Sequence, residues 1–350
     1  NPSTMANNDL GWERTRQYNL GFELGLFNNR IRLEGDFYDS QSLDLLLNVP
    51  VPTITGYSTQ MQNIGKVQNR GMEFTLNTKN LTGEFAWSSN FNISFNKNKV
   101  LEVGVDGRPI YGSAANANNA FITKPGYPIA SFYGYKYIGV FQSEEELAKY
   151  PHLSGDKVGD GRYEDVNKDG VLDQNDKTIL GDNNPLFTAG FSNSFSYKNF
   201  TLDIQFTGSY GAEVFSFYKR MCGIYHGDRN GMIEQLGRWQ SKDQPGDGIH
   251  FRPTRTPSGW QRDPSSAWVQ DASYLRLRNL TLGYNFDQKV LDKMKMKGLR
   301  LYVTGQNLFT ITNYVGYDPE TSSESGLAQG GDYLGYPAAR SFIIGANITF

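Results

Sequence analysis

Hydrophobic and polar residues alternate along most of this chain, and the clearest stretch runs from Pro185 to Gly211. Phe187, Ala189, Phe191, Phe195 and Tyr197 share one parity, with Thr188, Gly190, Ser192, Ser194 and Ser196 between them. After Lys198-Asn199 the pattern resumes, with Phe200, Leu202, Ile204, Phe206 and Tyr210 set against Thr201, Asp203, Gln205, Thr207 and Ser209. Successive side chains of a strand point to opposite faces, so the pattern predicts a hairpin with one apolar and one polar face. A soluble sandwich alternates too, but its strands are shorter and its apolar face is mostly Val, Ile and Leu. Strands of about ten residues, with an aromatic-rich face and a Ser/Thr/Asn/Gly face, fit a hairpin with lipid outside and water inside.

The alternation recurs from end to end. Tyr18, Leu20, Phe22, Leu24 and Leu26 lead into a tight Asn28-Asn29 turn. The return strand sets Ile31, Leu33 and Phe37 against Arg32, Glu34 and Asp36, and Val49 to Gly65 reads as a long connection. Next come a strand around Met72, Phe74 and Leu76 and a short turn at Lys79 to Gly83. The strand after it sets Phe85, Trp87, Phe91, Ile93 and Phe95 opposite Ser88, Asn90, Asn92, Ser94 and Asn96. Glu102 to Asn118 reads as a loop, and Ala120 to Phe141 as a hairpin reversing at Pro125-Gly126-Tyr127-Pro128. Residues 142–184 form a polar extracellular loop opened by a helix with Ser143 as N-cap. Residues 212–270 form a larger one, with helical pieces near Val214 to Tyr225 and Gly231 to Trp239. Strands around 280–286, 299–313 and 342–350 finish the chain, the first two joined by a Lys-rich turn.

Short turns at Asn28, Lys79 and Lys198 belong on one side of the membrane and long loops on the other. That sidedness requires the Pro125 reversal and gives roughly eleven strands. An odd count leaves two rows of unpaired backbone groups, costly in lipid, so the sheet is expected to close against strands outside this sequence.

Composition narrows the function classes. The 350 residues carry a net charge of -2, which gives no electrostatic footprint for nucleic acid. A single Cys222 excludes an internal disulfide framework. No apolar run reaches the roughly 18 residues of a membrane helix. The mean hydropathy of -0.54 suits a barrel whose wet face and loops dilute its oily one. The chain is expected to carry no signal peptide and to be the carboxyl part of something longer. His152, His226 and His250 fall in loops, and no HExxH, GxSxG, P-loop or CxxC pattern occurs, so no catalytic residues are expected.

Three constellations carry other chemistry. Asp165, Asn167, Asp169, Val171, Asp173 and Asp176 occupy the ligand positions of a calcium loop of EF-hand plan, with Gly170 at the turn and Asp where Glu is usual. The competing reading is an Asp/Asn/Gly-rich turn without an ion; calcium would stiffen the loop rather than act as a sensor. Tyr225, Trp239, Trp260 and Trp268 are candidates to stack on sugar rings, against membership of the interfacial girdle or packing in the loop's own core. Arg276 and Arg278 share a face near the top of their strand, where they either guide an anionic group or pair with lumenal carboxylates such as Asp203 or Glu73.

These features come together in a resemblance. NIGKVQNRGMEFTL, PIASFYGYKYIGVFQSEEEL, DVNKDGVLDQNDKTILGDNNPLFTAGFSNSFSYKNFTLDIQFTGSYG, DASYLRLRNLTLGYNF and LRLYVTGQNLFTITNYVGYDPE occur in order, closing on a terminal Phe350. Together they resemble the SusC-like branch of the TonB-dependent outer-membrane transporters over the whole chain. The resemblance implies an all-β transmembrane barrel of about 22 strands, of which residues 1–350 supply the carboxyl-terminal half, without its plug. It also implies import of oligosaccharides or peptides under a SusD-like surface lipoprotein, as a dimer of transporter-lid pairs in membrane lipid. Energy would come from the TonB complex acting through a missing amino-terminal part. This chain alone would then not transport. The other readings are a non-transporting barrel, such as an adhesin or assembly partner, and a lidless receptor for a chelated metal or cofactor.

Overall fold

The computed structural model describes residues 4–104, 107–114, 117–223, 230–253, 263–320 and 326–350. A two-residue strand β1 (Thr4–Met5) precedes four long ones, β2 (Arg14–Leu26), β3 (Ile31–Pro50), β4 (Thr59–Thr82) and β5 (Phe85–Glu102), which pair in sequence as antiparallel hairpins. Phe27, Asn28 and Asn29 take positive φ, and the Arg30 N–H closes the turn on the Phe27 carbonyl at 3.2 Å. Asn tolerates that left-handed region better than most residues, as the sequence predicts. β3 and β4 have 20 and 24 residues, well beyond the about 9–11 that cross a bilayer. Their pairing continues outward as a ribbon through an irregularity between Ser42 and Leu45, where Asp44 has φ 58°. The expected long connection from Val49 to Gly65 therefore shrinks to residues 51–58.

After β5 the chain leaves this sheet and builds β6 (Ile110–Ala114), β7 (Ala117–Thr123), β8 (Ser131–Gly134), β9 (Tyr137–Val140), α1 (Glu144–Lys149), β10 (Gly161–Tyr163) and β11 (Thr178–Gly181). Part of the expected loop at Glu102 to Asn118 is thus strand. The reversal at Pro125 is present, with Phe121 opposite Phe132 and Ile122 opposite Ser131. Its two strands do not join the wall, however. They sit in a separate sheet of order β11-β8-β7-β6, and β5 pairs directly with β12 (Phe187–Tyr197). The physical reason is burial: Phe121 and Phe132 are fully enclosed, and strands of seven and four residues are too short to cross.

The remaining elements are β13 (Phe200–Tyr210), β14 (Glu213–Ser216), α2 (Phe217–Gly223), β15 (Val269–Asp271), β16 (Tyr274–Asn285), α3 (Gln288–Met294), β17 (Gly298–Thr312), β18 (Gly331–Asp332) and β19 (Ser341–Thr349). Among the described residues the wall is nine long strands in the order β19-β17-β16-β13-β12-β5-β4-β3-β2, with β1 beside β4. The expected count of eleven is corrected accordingly. Because the two displaced strands leave as a pair, the sidedness holds. The connections at 27–30, 83–84, 198–199 and 286–297 lie at one edge and all the long excursions at the other. The Lys-rich connection contains α3, which ends on Lys295 in the left-handed region. Of the two helical pieces expected in 212–270, the first is α2, preceded by β14, and the second is a 3-10 segment at Ile233–Gly237. The helix after Ser143 forms as expected, with Ser143 Oγ accepting the Glu146 N–H at 3.2 Å.

Among the described residues the wall has no protein core behind its apolar face. Phe191 is 41% exposed and Ile344 84%, while β2 and β19 do not pair with each other. The main enclosed hydrophobic cluster lies instead in the excursions. Phe121 and Phe132 from 103–186, Phe215, Phe217 and Trp268 from 212–271, and Ala328 from the last excursion pack together. β14 ties them further, pairing antiparallel with β15 and parallel with β18. The three excursions thus fold as one cap above the wall.

Candidate functional site

The wall face opposite the aromatic rows is mostly polar surface, with Ile343 of β19 an apolar member opposite Thr304. Asn90 Nδ2 donates to Asn77 Oδ1 at 2.6 Å, Ser194 Oγ to Asp203 Oδ1 at 2.6 Å, and Asn279 Nδ2 to Gln205 Oε1 at 2.8 Å. Thr281 and Thr304 hydroxyls meet at 2.8 Å. Arg32 pairs with Glu23 at 2.7 Å and Glu34 at 2.8 Å. Such ladders of amides, hydroxyls and charges need water beside them, which a barrel interior supplies. Near the short-turn end they line a cavity of about 650 Å³ that includes Glu23, Arg32, Asn77 and Ser192.

At the opposite end an irregularity in β16 gathers charge. Against β13 Arg278 is an extra residue between Leu277 and Asn279, and against β17 the register shifts at the same place. Alternation puts Arg276 and Arg278 on the inward face, and the extra residue brings Asn279 onto that face as well. Arg276, 2% exposed, pairs with Asp318 at 2.6 Å and Glu320 at 2.5 Å, and Arg278 pairs with Glu320 at 2.5 Å. The carboxylate pairing expected for these arginines is present, but the partners come from the excursion after β17. Asp203 instead stands 3.9 Å from Arg300, and Glu73 accepts from Ser94 Oγ. Burial alone would raise the Asp318 and Glu320 carboxyls. Hydrogen bonds from Arg276 and from the Ala338 and Glu320 N–H groups outweigh it at Asp318, as do those from Arg278 and Tyr274 at Glu320, and both lie below the ordinary carboxylate range. The one sequence signal for this network is two arginines at i and i+2 that need neutralising.

The aromatic candidates divide. Tyr225 and Trp260 lie outside the described residues. Trp268 is 2% exposed in the cap core, its indole N–H reaching the Asp263 carbonyl at 3.3 Å, and Trp239 packs on the same core and over Gly159. Trp239 and Trp268 are therefore packing residues of the cap, because its three segments need large apolar side chains at their junction. Other aromatic rings of the excursions are exposed. Tyr218 and Tyr317 lie 6.0 Å apart, and Tyr317, Tyr333 and Tyr336 are exposed. No periodicity marks them, since Tyr317, Tyr333 and Tyr336 sit in irregular chain and Tyr218 in the short helix α2.

The Asp165 to Asp176 loop has the coil of a cation loop, with Gly170 at φ 84° and Lys168 at φ 61°. Asp165 accepts the Lys168 and Gly170 N–H groups at 2.7 and 2.9 Å, and Asp169 accepts that of Val171 at 2.8 Å. Asn167 accepts the Asp169 N–H at 2.9 Å, and Asp173 that of Asn175 at 2.7 Å. Asp176 is buried and accepts the Val166 and Asp173 N–H groups at 2.9 and 2.8 Å. Among the described residues no three acidic, His or Cys side chains are gathered closely enough to hold an ion. The backbone fits the calcium plan, while the carboxylates cap the loop instead of converging. His152 and His250 hydrogen-bond locally, to the Tyr150 carbonyl and to Asp247, and His226 lies outside the described residues.

Comparison with known proteins places this geometry. A family model described as TonB dependent receptor-like, beta-barrel, matches residues 1–308. The chain is 36% identical over 358 residues to TonB-dependent receptor P3 of Formosa agariphila, covering 99% of this chain and 35% of that protein. It is 30% identical over 355 residues to TonB-dependent receptor SusC of Bacteroides thetaiotaomicron, covering 98% of this chain and 32% of that protein. The chain thus spans about a third of the length of these curated relatives. Among solved structures, the RagAB peptide importer in its 'open-open' state superposes with a TM-score of 0.77 at 26% identity, over 99% of this chain and 36% of that one.

Proposed function

Because the chain belongs to the TonB-dependent receptor-like β-barrel family, whose members are outer-membrane barrel proteins of Gram-negative bacteria and not enzymes, we propose that it forms part of the wall and cap of a nutrient importer. The cargo is an oligosaccharide or a peptide, taken up together with a SusD-like surface lipoprotein and driven by the TonB complex through the rest of the protein. The complete barrel has about 22 strands and works as a dimer of transporter-lid pairs. The observation that supports this most is the wall itself: one face of aromatic rows, the other a largely polar ladder leading from a folded cap to the short-turn edge. The names of SusC and of the RagAB peptide importer among the similar proteins point the same way.

Cargo meets the Tyr218–Tyr317 pair and the other open tyrosines at the mouth first, since aromatic faces suit both sugar rings and peptide side chains. The polar rows then offer replaceable hydrogen bonds along the way in. Calcium at Asp165 to Asp176 would fix the outer part of the cap, the ligand spacing and the Gly170 turn being its support. The test of import is growth. Cells lacking the full-length protein should lose growth on one oligosaccharide or peptide source, and the purified protein should bring down a surface lipoprotein. Unchanged growth on all such sources, with no lipoprotein partner, overturns the reading.

A further inference from the structure

The aromatic face of the wall is not smooth. Ala189 and Gly208 stand directly opposite each other on β12 and β13, on the parity that carries Phe191, Phe206 and Tyr210. Two residues further toward the cap the next cross-strand pair is Phe187 with Tyr210, their rings stacked 5.4 Å apart. Two residues the other way it is Phe191 with Phe206. Successive rows on one face lie about 6.6 Å apart, so the Ala–Gly row is a trough between two aromatic ridges. Leu275 and Ile311 on β16 and β17 continue the row and close it laterally. The resulting groove has a volume of about 450 Å³, and no charged residue lines it.

We propose that this groove is a binding site for one acyl chain of an outer-leaflet bilayer lipid. Four observations fix the occupant. The groove lies on the lipid side of an outer-membrane wall, away from the polar ladder, so cargo does not reach it. Its cap-side position places it at the height of the outer leaflet, because long excursions are extracellular and short turns periplasmic. Its lining is mainly apolar and aromatic, with the uncharged Ser209, Ser273, Thr312 and Asn313 completing it, the walls set by ring stacking and the floor by residues too small to fill it. Finally, the trough is one cross-strand row wide, between the Phe187–Tyr210 and Phe191–Phe206 pairs, which suits a single chain and not a standard protein interface of about 800 Å² per partner. A lipid here would be retained where lipids on the rest of the face exchange freely. The proposal rests on the outer-membrane placement and not on the nature of the cargo, so its failure would leave the import reading untouched.

The test uses the full-length protein purified from outer membranes in mild detergent, with retained lipids counted and weighed by native mass spectrometry. The wild type should keep a lipid adduct of defined mass. Ala189→Phe, which fills the trough, should lower its occupancy by about tenfold, the equivalent of losing roughly two methylenes of contact. Ala346→Phe, on the same face of β19, should leave it unchanged. Should Ala189→Phe fail to fold, judged by heat-modifiable migration on gels, the smaller Ala189→Leu serves, with the same direction of change. Equal occupancy in wild type and trough-filled variants overturns the site. So does a change in oligomer mass without a change in bound lipid, which would mark the groove as a contact between copies.

Discussion

Asn193 stands among the aromatic residues of β12, where its side-chain oxygen accepts the Trp87 indole N–H at 3.0 Å. The same oxygen accepts Ser89 Oγ at 2.7 Å, and Ser89 in turn accepts Asn80 Nδ2 at 2.8 Å. A polar network therefore sits on the face that meets lipid, shielded by the stacked rings of Trp87 and Phe195 and leaving Asn193 only 9% exposed.

In hydrocarbon such groups must satisfy each other, since no water is available. Asn193→Leu should destabilise the wall by about 1–3 kcal/mol, because it strands the Trp87 N–H and the Ser89 hydroxyl. Adding Ser89→Ala and Trp87→Phe should recover most of that loss. Urea unfolding of the full-length protein in vesicles, followed by tryptophan fluorescence in the single variant, measures the first effect. Full stability in Asn193→Leu alone would contradict the network.

The arginine network should hold the excursion after β17 to the wall. Asp318→Asn leaves the enclosed Arg276 short of a partner, and a loss of about 3 kcal/mol is expected. Both carboxyls lie below their ordinary range, so their contribution is fully present above the unfolded values near pH 4 and fades as pH falls through the lowered ones. Proteolysis within 313–340 should therefore rise in acid, and should rise at neutral pH in the variant. A cleavage rate that ignores both changes would show the loop to be held elsewhere.

The cap should unfold apart from the wall. Phe121→Ala removes a fully enclosed ring that touches Phe132, Phe215 and Phe217, and about 3–5 kcal/mol should be lost. Because those rings come from two excursions, protease sites should open in both 103–186 and 212–271 while the strand signature in circular dichroism persists. Cleavage confined to one excursion would mean that the loops fold independently.

Calorimetric titration of the full-length protein with calcium should give one site of about 10⁻⁴–10⁻³ M, as in extracellular modules. Asp165→Ala with Asp169→Ala should abolish it. No heat at millimolar calcium would leave residues 165–176 as a self-capped turn, the state that the hydrogen bonds of Asp176 already sustain.

Much of the wall was legible in the order of residues. Alternation identified which face of β12, β13 and β16 is oily, Asn28-Asn29 and Lys198-Asn199 marked their turns, and Ser143 capped its helix, because each is decided within a few residues of chain. The sidedness count alone puts the strands at 117–123 and 131–134 in the wall, although Ala120-Phe121-Ile122 and Phe132-Tyr133 break the alternation. Only their packing against Phe215, Phe217 and Trp268, distant in sequence, assigns them to the cap. Long-range closeness likewise chose Asp318 and Glu320 over Asp203 and Glu73 as partners for Arg276 and Arg278, and set Asn193 against Trp87.

The sequence by itself determined a two-faced antiparallel ribbon and its sidedness, since periodicity and turn chemistry act over neighbouring positions. The tertiary structure alone decided how many strands stay in the wall, that three excursions share one interior, and where the aromatic face is hollow. Those depend on which residues meet across tens to hundreds of positions, a matter of available space and burial that no local pattern encodes.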